Sequence, residues 1–95
     1  SIQGKQGLES YDILQKNHNN QCIKTEAFTA DCIPDTIQAE HNTEYIIVAG
    51  NFTIDGKQQK EQQIYDISGA DQPEIELLVP LENGILAKSM LPLIK

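Results

Sequence analysis

The sequence contains no arginine. It has seven lysines and fourteen acidic residues, which gives a formal net charge of −7. Arginine supplies the bidentate hydrogen bonds that many proteins use on phosphate groups and guanine edges. Nucleic acids and anionic membrane surfaces both attract clustered positive charge. The composition therefore argues against nucleic acid and against an anionic membrane surface as partners.

Long apolar runs and aromatic residues are also scarce. No stretch reaches the roughly 18 apolar residues that a membrane-spanning helix needs, so we expect no membrane insertion. With three tyrosines, two phenylalanines and no tryptophan, the chain has little of the aromatic surface on which sugars stack. Its ten glutamines are uncharged donors and acceptors that suit either a protein or a sugar. A protein partner is therefore favoured, and carbohydrate is a weakly supported alternative.

Cysteine occurs twice, at Cys22 and Cys32. The length of 95 residues predicts one domain over residues 1–95, and a chain this short buries only about 60–65% of its unfolded surface. We therefore predict a disulfide between the two cysteines, which would stabilise the fold by roughly 2–3 kcal/mol. Such a bridge indicates a secreted, periplasmic or cell-surface protein. The alternative is two free thiols in a cytosolic protein.

Residues 44–54 form the longest apolar and β-branched run and predict the central strand. Five consecutive non-polar residues, 45–49, cannot alternate between core and water, so we expect both faces to be covered. Gly50 predicts a bend or bulge. The dipeptide Asp55-Gly56 predicts a two-residue hairpin turn, and the polar residues 57–63 then predict an exposed arm or loop.

The rest of the chain consists of short strand-like segments separated by turns. Residues 8–14 also fit one helical face, but a helix this short is marginal in isolation, so a strand is favoured. Asn83-Gly84 predicts a second hairpin turn. Short strands with frequent turn signals predict an all-β fold, a small antiparallel β-sandwich, immunoglobulin-like or similar, with about seven strands.

Residue patterns typical of enzymes are missing. His18 and His41 lie in polar, Asn-containing turns, and no Gly-x-Ser-x-Gly nucleophile motif occurs. We therefore expect no enzyme activity and no cofactor.

Oxygen donors are concentrated in one loop around Gly69, where carboxylates and a hydroxyl could hold calcium. Their spacing differs from the twelve-residue calcium loop, so we interpret the segment as an acidic binding loop without a metal. Together with two glutamines of the polar arm, the candidate binding residues are Asp66, Ser68, Asp71, Glu74, Gln58 and Gln59.

Asn51-Phe52-Thr53 is an N-x-Thr sequence, the acceptor for N-glycosylation. In a secreted eukaryotic protein it would mark a surface position. Because it lies within the most apolar predicted strand, a glycan at Asn51 would need that strand to be an edge.

The segment Ile46-Ile47-Val48-Ala49-Gly50 is weakly similar to the Gln-x-Val-x-Gly hairpin of cystatins. Gly4 and a later hairpin at residues 79–83 occupy places of the family's other two contact elements. The resemblance implies an inhibitor that blocks cysteine proteases with hairpin loops. Ile46 replaces the family's glutamine, however, and no long amphipathic helix precedes the strand.

These patterns together predict a non-enzymatic, extracytoplasmic protein-binding or assembly module, either freestanding or one domain of a larger secreted or surface protein. Sheet edges or loops would carry the contacts. The alternative is a secreted hydrolase inhibitor that presents hairpin loops.

Overall fold

The computed structural model describes residues 7–80 and 86–95, except for the side chains of residues 54, 78–80, 86 and 87. These residues form seven strands and no helix, which confirms the predicted all-β class and strand number. The hairpin turn predicted at Asn83-Gly84 lies outside the described residues. The strands are β1 (Gly7–Lys16), β2 (Cys22–Thr29), β3 (Ile37–Gln38), β4 (Tyr45–Ile54), β5 (Lys57–Asp66), β6 (Glu74–Pro80) and β7 (Leu86–Ile94).

The seven strands are divided between two sheets. The larger sheet has the order β2-β1-β4-β5, with every neighbouring pair antiparallel. The smaller sheet has the order β3-β7-β6, in which β7 runs parallel to β3 and antiparallel to β6. The predicted antiparallel arrangement is therefore wrong for the β3–β7 pair. The predicted central strand, β4, is therefore an internal strand, and β5 is an edge strand beside it.

One hydrophobic cluster includes the buried residues of both sheets. Ile13 and Ile46 belong to the larger sheet and are 1% and 0% exposed, whereas Ile75 and Leu77 of the smaller sheet are 0% and 2% exposed. Burial of one such side chain contributes about 1.5–3 kcal/mol. Association of the two sheets is therefore driven mainly by these apolar side chains.

β4 differs from its prediction on its outer face. Ile46 and Val48 point into the cluster and are buried, as alternation requires. Tyr45 and Ile47 lie on the opposite face and are only half-buried. Ala49 lies on the same face and is 2% exposed. The expectation that both faces of this strand are covered therefore holds for the inner face and only in part for the outer face.

The irregularity predicted at Gly50 lies elsewhere. β4 pairs with β5 in unbroken register through Gly50. A bulge instead occurs in β1, between Leu8 and Ser10. In a regular strand, Leu8 and Tyr11 would face opposite sides because three positions separate them. The extra residue restores the phase, so both side chains are buried in the core.

Gly50 has a packing role instead. A Cβ atom built there would lie 3.0 Å from Cε1 of Phe52 and 3.2 Å from Cε1 of Tyr11. These distances are too short for ordinary contacts between carbon atoms. The two rings therefore occupy the space that any larger residue at this position would need.

The turn between β4 and β5 is confirmed as a two-residue hairpin. Ile54 pairs with Lys57 across it, and the backbone φ angles are 51° at Asp55 and 80° at Gly56. Positive φ at both central residues is typical of the turn that matches the right-handed twist of the strands.

The predicted disulfide is wrong. Cys22 begins β2 and Cys32 follows its end, and both are exposed, free thiols. An eight-residue strand spans about 23 Å, whereas a disulfide needs Cα atoms about 4.4–6.8 Å apart. The extended strand between the two cysteines therefore keeps them at opposite ends of β2.

Candidate functional site

β5 is an exposed arm at the edge of the larger sheet. Its residues 57–64 are exposed on both faces, and only Tyr65 is half-buried. Residues 57–63 include no apolar side chain, so neither face of this segment can join the hydrophobic cluster. The polar segment predicted as an arm or loop is therefore a regular strand that pairs with β4 along its length and reaches β1 through an ion pair of 4.0 Å between Lys60 and Asp12.

The free edge of β5 has a defined pattern of backbone groups. The backbone nitrogen of Ile67 donates to the oxygen of Glu44 at 2.9 Å, and the β4–β5 register continues from this bond. In antiparallel pairing, hydrogen-bonded residues alternate with residues whose N–H and C=O point away. The odd-numbered residues of β5 therefore bond to β4. We call the outward N–H and C=O groups of the even-numbered residues 58–66 the β5 edge.

β2 has a corresponding free edge on the other side of the sheet. The backbone nitrogen of Ala30 donates to the oxygen of Glu9 at 2.9 Å, which sets the same alternation in the β1–β2 pair. The N–H of Ala27 therefore points away from β1. This strand differs from β5 because Lys24 and Glu26 on its inner face are half-buried and form an ion pair of 3.8 Å.

An apolar row on the outer face leads to the β5 edge. Leu14, Ile47 and Ile64 lie directly opposite one another on β1, β4 and β5. Leu14 and Ile47 are half-buried, whereas Ile64 is 68% exposed. Most of the surface of a large aliphatic side chain thus faces solvent next to the unpaired backbone.

A shallow groove lies on the inner side of β5. Tyr11 and Phe52 line it, as do Glu61 of β5 and the pair of Glu76 and Lys88, whose charged groups are 3.8 Å apart. Its volume is about 170 Å³. Small-molecule pockets usually measure about 300–1,000 Å³, so this groove is too small for a typical organic ligand.

Tyr65 links the larger sheet to the edge of β6. The backbone nitrogen of Leu93 donates to the backbone oxygen of Pro73 at 2.9 Å. Hydrogen-bonded residues alternate along the β6–β7 pair, so the backbone N–H and C=O groups of Glu76 point away from β7. The nitrogen of Glu76 donates to the Tyr65 hydroxyl at 3.3 Å. The hydroxyl in turn lies 3.3 Å from the oxygen of Glu76 and 2.6 Å from Oε1 of Gln63 as possible acceptors.

Gln15 makes the equivalent link at β3. Its Nε2 donates to the oxygen of Gln38 at 2.9 Å, and its Oε1 accepts from the nitrogen of Glu40 at 2.7 Å and from Oγ1 of Thr43 at 2.9 Å. The side chain is 0% exposed, so these bonds replace water completely. Sequence reasoning missed this residue. The sequence did contain a signal: Gln15 follows Tyr11 and Ile13 at every second position, which places it on the apolar face of β1.

The predicted loop after β5 is ordered by Asp66. Oδ1 of Asp66 accepts from the Ser68 hydroxyl at 2.6 Å and from the Ser68 nitrogen at 3.0 Å. These two bonds lower the pKa of Asp66 below 3.8. Asp71 and Glu74 are exposed. Within residues 7–80 and 86–95, no cluster of three His, Cys, Asp or Glu residues could hold a metal ion.

The remaining predicted binding residues do not join this loop. Gln58 and Gln59 lie beside the hairpin turn, on opposite faces of β5, and both are exposed. Asp66 ends the same strand, about 26 Å away for eight residues at about 3.3 Å per residue. The six predicted residues therefore form two separate groups, one beside the hairpin turn (Gln58 and Gln59) and one from the end of β5 to the start of β6 (Asp66, Ser68, Asp71 and Glu74).

Asn51 lies on the outer face of β4, an internal strand. Its Nδ2, the atom to which a glycan would be attached, donates to Oγ of Ser10 at 3.0 Å and to Oδ2 of Asp12 at 3.2 Å. Phe52, the next residue, is buried. In the folded chain this amide is therefore already engaged.

The cystatin-like segment is placed unlike an inhibitory hairpin. Ile46 and Val48 are in the middle of β4, with exposed fractions of 0% and 5%. A segment that must enter a protease active site has to protrude from the surface. The interpretation of these residues as a contact loop is therefore wrong.

In the part of the chain that the structure describes, no helix has the length and apolar character needed to cross a membrane. The chain matches no family model, no curated protein and no solved structure.

Proposed function

We propose that this chain is a non-enzymatic protein-binding or assembly module that uses the β5 edge. The observation that carries the proposal is a ten-residue strand that is exposed on both faces over residues 57–64 and whose outward backbone groups have no backbone partner among the described residues. A partner segment in extended conformation can add to such an edge, where backbone hydrogen bonds give affinity and side chains give specificity.

Two features of β5 suit it to a protein partner. Two lysines and two acidic residues give the strand a net charge of zero within a chain of net charge −7. The strand therefore adds no net charge to the long-range repulsion of another acidic protein. The exposed Ile64 adds apolar surface that a paired strand would cover.

We further infer that the two sheets pack face to face as a small sandwich, immunoglobulin-like or similar, in which every strand pair except β3–β7 is antiparallel. The shared hydrophobic cluster supports this arrangement. The hydrogen bonds from Gln15 to the β3 edge and from Tyr65 to the β6 edge also support it. Such a scaffold would hold β5 rigidly at one edge.

The binding proposal is tested with a displayed library of short extended peptides selected on the purified chain. We expect selected peptides to shift the backbone amide NMR signals of residues 58–66. A Gln62→Pro variant removes one outward N–H without losing a β4 bond, and should weaken peptide binding strongly. The matched control, Ala27→Pro, removes an outward N–H at the β2 edge and should leave peptide binding unchanged.

Three results would overturn the proposal: a selection that yields no binder, binders whose signals map away from β5, or equal binding by the Gln62→Pro variant. Both variants are first checked by circular dichroism for an unchanged β-sheet signal.

The hydrolase-inhibitor alternative and the extracytoplasmic location stay predictions. The inhibitor alternative is weakened because its cystatin-like contact segment is buried within β4. The second has lost its main support, because the cysteines are free thiols at opposite ends of β2.

A further inference from the structure

We propose that the strand added to the β5 edge is β5 of a second copy of this chain, antiparallel, with Gln63 of each copy opposite the other on a two-fold axis. Lys60 of one copy then lies opposite Asp66 of the second copy, twice in the dimer. This inference rests on the proposed function of the β5 edge and names its partner.

Backbone geometry restricts the ways in which two β5 strands can pair. Outward N–H and C=O groups belong to the even-numbered residues, so hydrogen-bonded partners must both be even-numbered. In a symmetric antiparallel pair, one residue lies opposite its own copy. The candidates near the middle of the strand are residues 59–64.

Charge separates these candidates. A two-fold axis at Lys60 or Glu61 puts identical charges directly opposite, which is destabilising. An axis at Gln62 or Ile64 pairs no opposite charges within β5. An axis at Gln63 instead places both lysines of residue 60 opposite carboxylates of residue 66. Each Lys60 ammonium, which lies 4.0 Å from Oδ2 of Asp12 in its own chain, would then have a second carboxylate beside it.

An axis at Gln59 also gives opposite-charge pairs, between Lys57 and Glu61. It pairs only residues 57–61, however, and leaves Ile64 in solvent. The axis at Gln63 pairs residues 60–66 and places Ile64 diagonal to Ile64 of the second copy, about 7–8 Å apart and within reach of long side chains. The register with the axis at Gln63 therefore gives two opposite-charge pairs, leaves Glu61 opposite the uncharged Tyr65, and covers the most exposed aliphatic side chain of the described residues.

The same pairing extends the apolar row across both molecules. The row of Leu14, Ile47 and Ile64 in one copy meets the corresponding row in the second copy at the join. A seven-residue strand pair covers much less than the roughly 1,600 Å² of a standard protein interface. We therefore expect a weak dimer, with a dissociation constant in the micromolar to millimolar range.

The first test uses analytical ultracentrifugation of the full chain over a wide concentration range. The unmodified chain should dimerise reversibly. Lys60→Glu and Asp66→Lys each place like charges at both pairs, so each variant should dimerise roughly tenfold more weakly or worse. An equal mixture of the two variants should recover association, because both pairs of positions 60 and 66 in the heterodimer again join a carboxylate to an ammonium group.

The second test identifies the register by cysteine cross-linking. In a background with Cys22→Ser and Cys32→Ser, single cysteines are placed at residues 61, 62, 63 and 64. Gln63→Cys should cross-link fastest, because opposite residues in a non-hydrogen-bonded pair have Cα atoms about 4.5 Å apart. Fastest cross-linking at another position would overturn the register.

Failure of this inference is distinguishable from failure of the binding proposal. Three results would overturn the self-pairing. The chain could stay monomeric at all concentrations or form open-ended oligomers. Alternatively, the Gln62→Pro variant could dimerise normally while the Ala27→Pro variant does not. Selected peptides that still bind the β5 edge in the same samples would keep the binding proposal intact.

Discussion

The hydroxyl of Tyr65 lies 3.3 Å from both the backbone nitrogen and the backbone oxygen of Glu76. One side chain of the larger sheet thus meets the donor and the acceptor that β6 presents at its free edge. Gln15 does the same at β3, where it bonds to the oxygen of Gln38 and the nitrogen of Glu40. Both edges of the smaller sheet are therefore linked to the larger sheet by polar side chains.

Tyr65→Phe removes the hydroxyl and leaves the ring in place. We expect the free energy of unfolding to fall by about 1 kcal/mol, the usual net value of a hydrogen bond, because the backbone groups of Glu76 lose their partner. Urea denaturation measures the change. Tyr45→Phe is the matched control, since Tyr45 is also half-buried, and it should change stability by less than about 0.5 kcal/mol. Equal effects of the two variants would contradict the linking role of Tyr65.

Gln15→Leu should lower the free energy of unfolding by more than Tyr65→Phe does. The substitution leaves the part-buried carbonyl of Gln38, the part-buried N–H of Glu40 and the buried Thr43 hydroxyl without the partner that Gln15 supplies, so we expect a loss of about 2–4 kcal/mol. Gln72→Leu, at an exposed loop position, is the control and should stay within about 0.5 kcal/mol. If the two leucine variants unfold at the same urea concentration, the bonds of Gln15 do not stabilise the fold.

Gly50→Ala tests the close approach of two rings. The new methyl group would contact Phe52 and Tyr11 at 3.0 and 3.2 Å, and we expect a loss of about 1–3 kcal/mol from overpacking. In a Phe52→Leu background the nearest ring atom is absent, so the same substitution should cost less. Thermal or urea unfolding of the parent, the two single variants and the double variant gives the coupling free energy between positions 50 and 52. Additive effects would show that contact with the Phe52 ring does not cause the loss of stability.

The stability of the loop after β5 should depend on pH through Asp66. Hydrogen bonds from Ser68 lower its pKa in the folded state. The stabilisation is therefore present above the unfolded pKa and is lost as the pH falls through the folded pKa. Ser68→Ala should raise the Asp66 pKa towards 3.8 in an NMR titration. The difference in stability between variant and parent should disappear in strong acid, and a constant difference would contradict the assignment.

Both cysteines should react with a maleimide in the native protein. Cys22 and Cys32 are exposed and separated by the length of β2, so we expect two added labels by intact mass and no change in stability on reduction. A native mass two hydrogens lower, restored by reductant, would show that an intramolecular bridge forms after all.

Local sequence signals predicted the strands because each strand depends on its own residues. The run at residues 44–54 contains β-branched side chains, and Asp55-Gly56 supplies the positive φ angles of a hairpin turn. The exposure of β5 was foreseeable for the same reason, since residues 57–63 offer nothing to a core. These features need no knowledge of distant parts of the chain.

The side chains that link the two sheets, and the positions of the cysteines, were harder to predict because they depend on long-range pairing. Gln15 contacts residues more than twenty positions away, and Tyr65 meets a strand that belongs to the other sheet. The two cysteines look close in sequence, but the extended β2 separates them. The sequence by itself determined that the chain forms short strands with a polar arm, through local backbone preference and alternation. Only the tertiary structure decided which edges are occupied and which stay free, because that depends on which strands become neighbours.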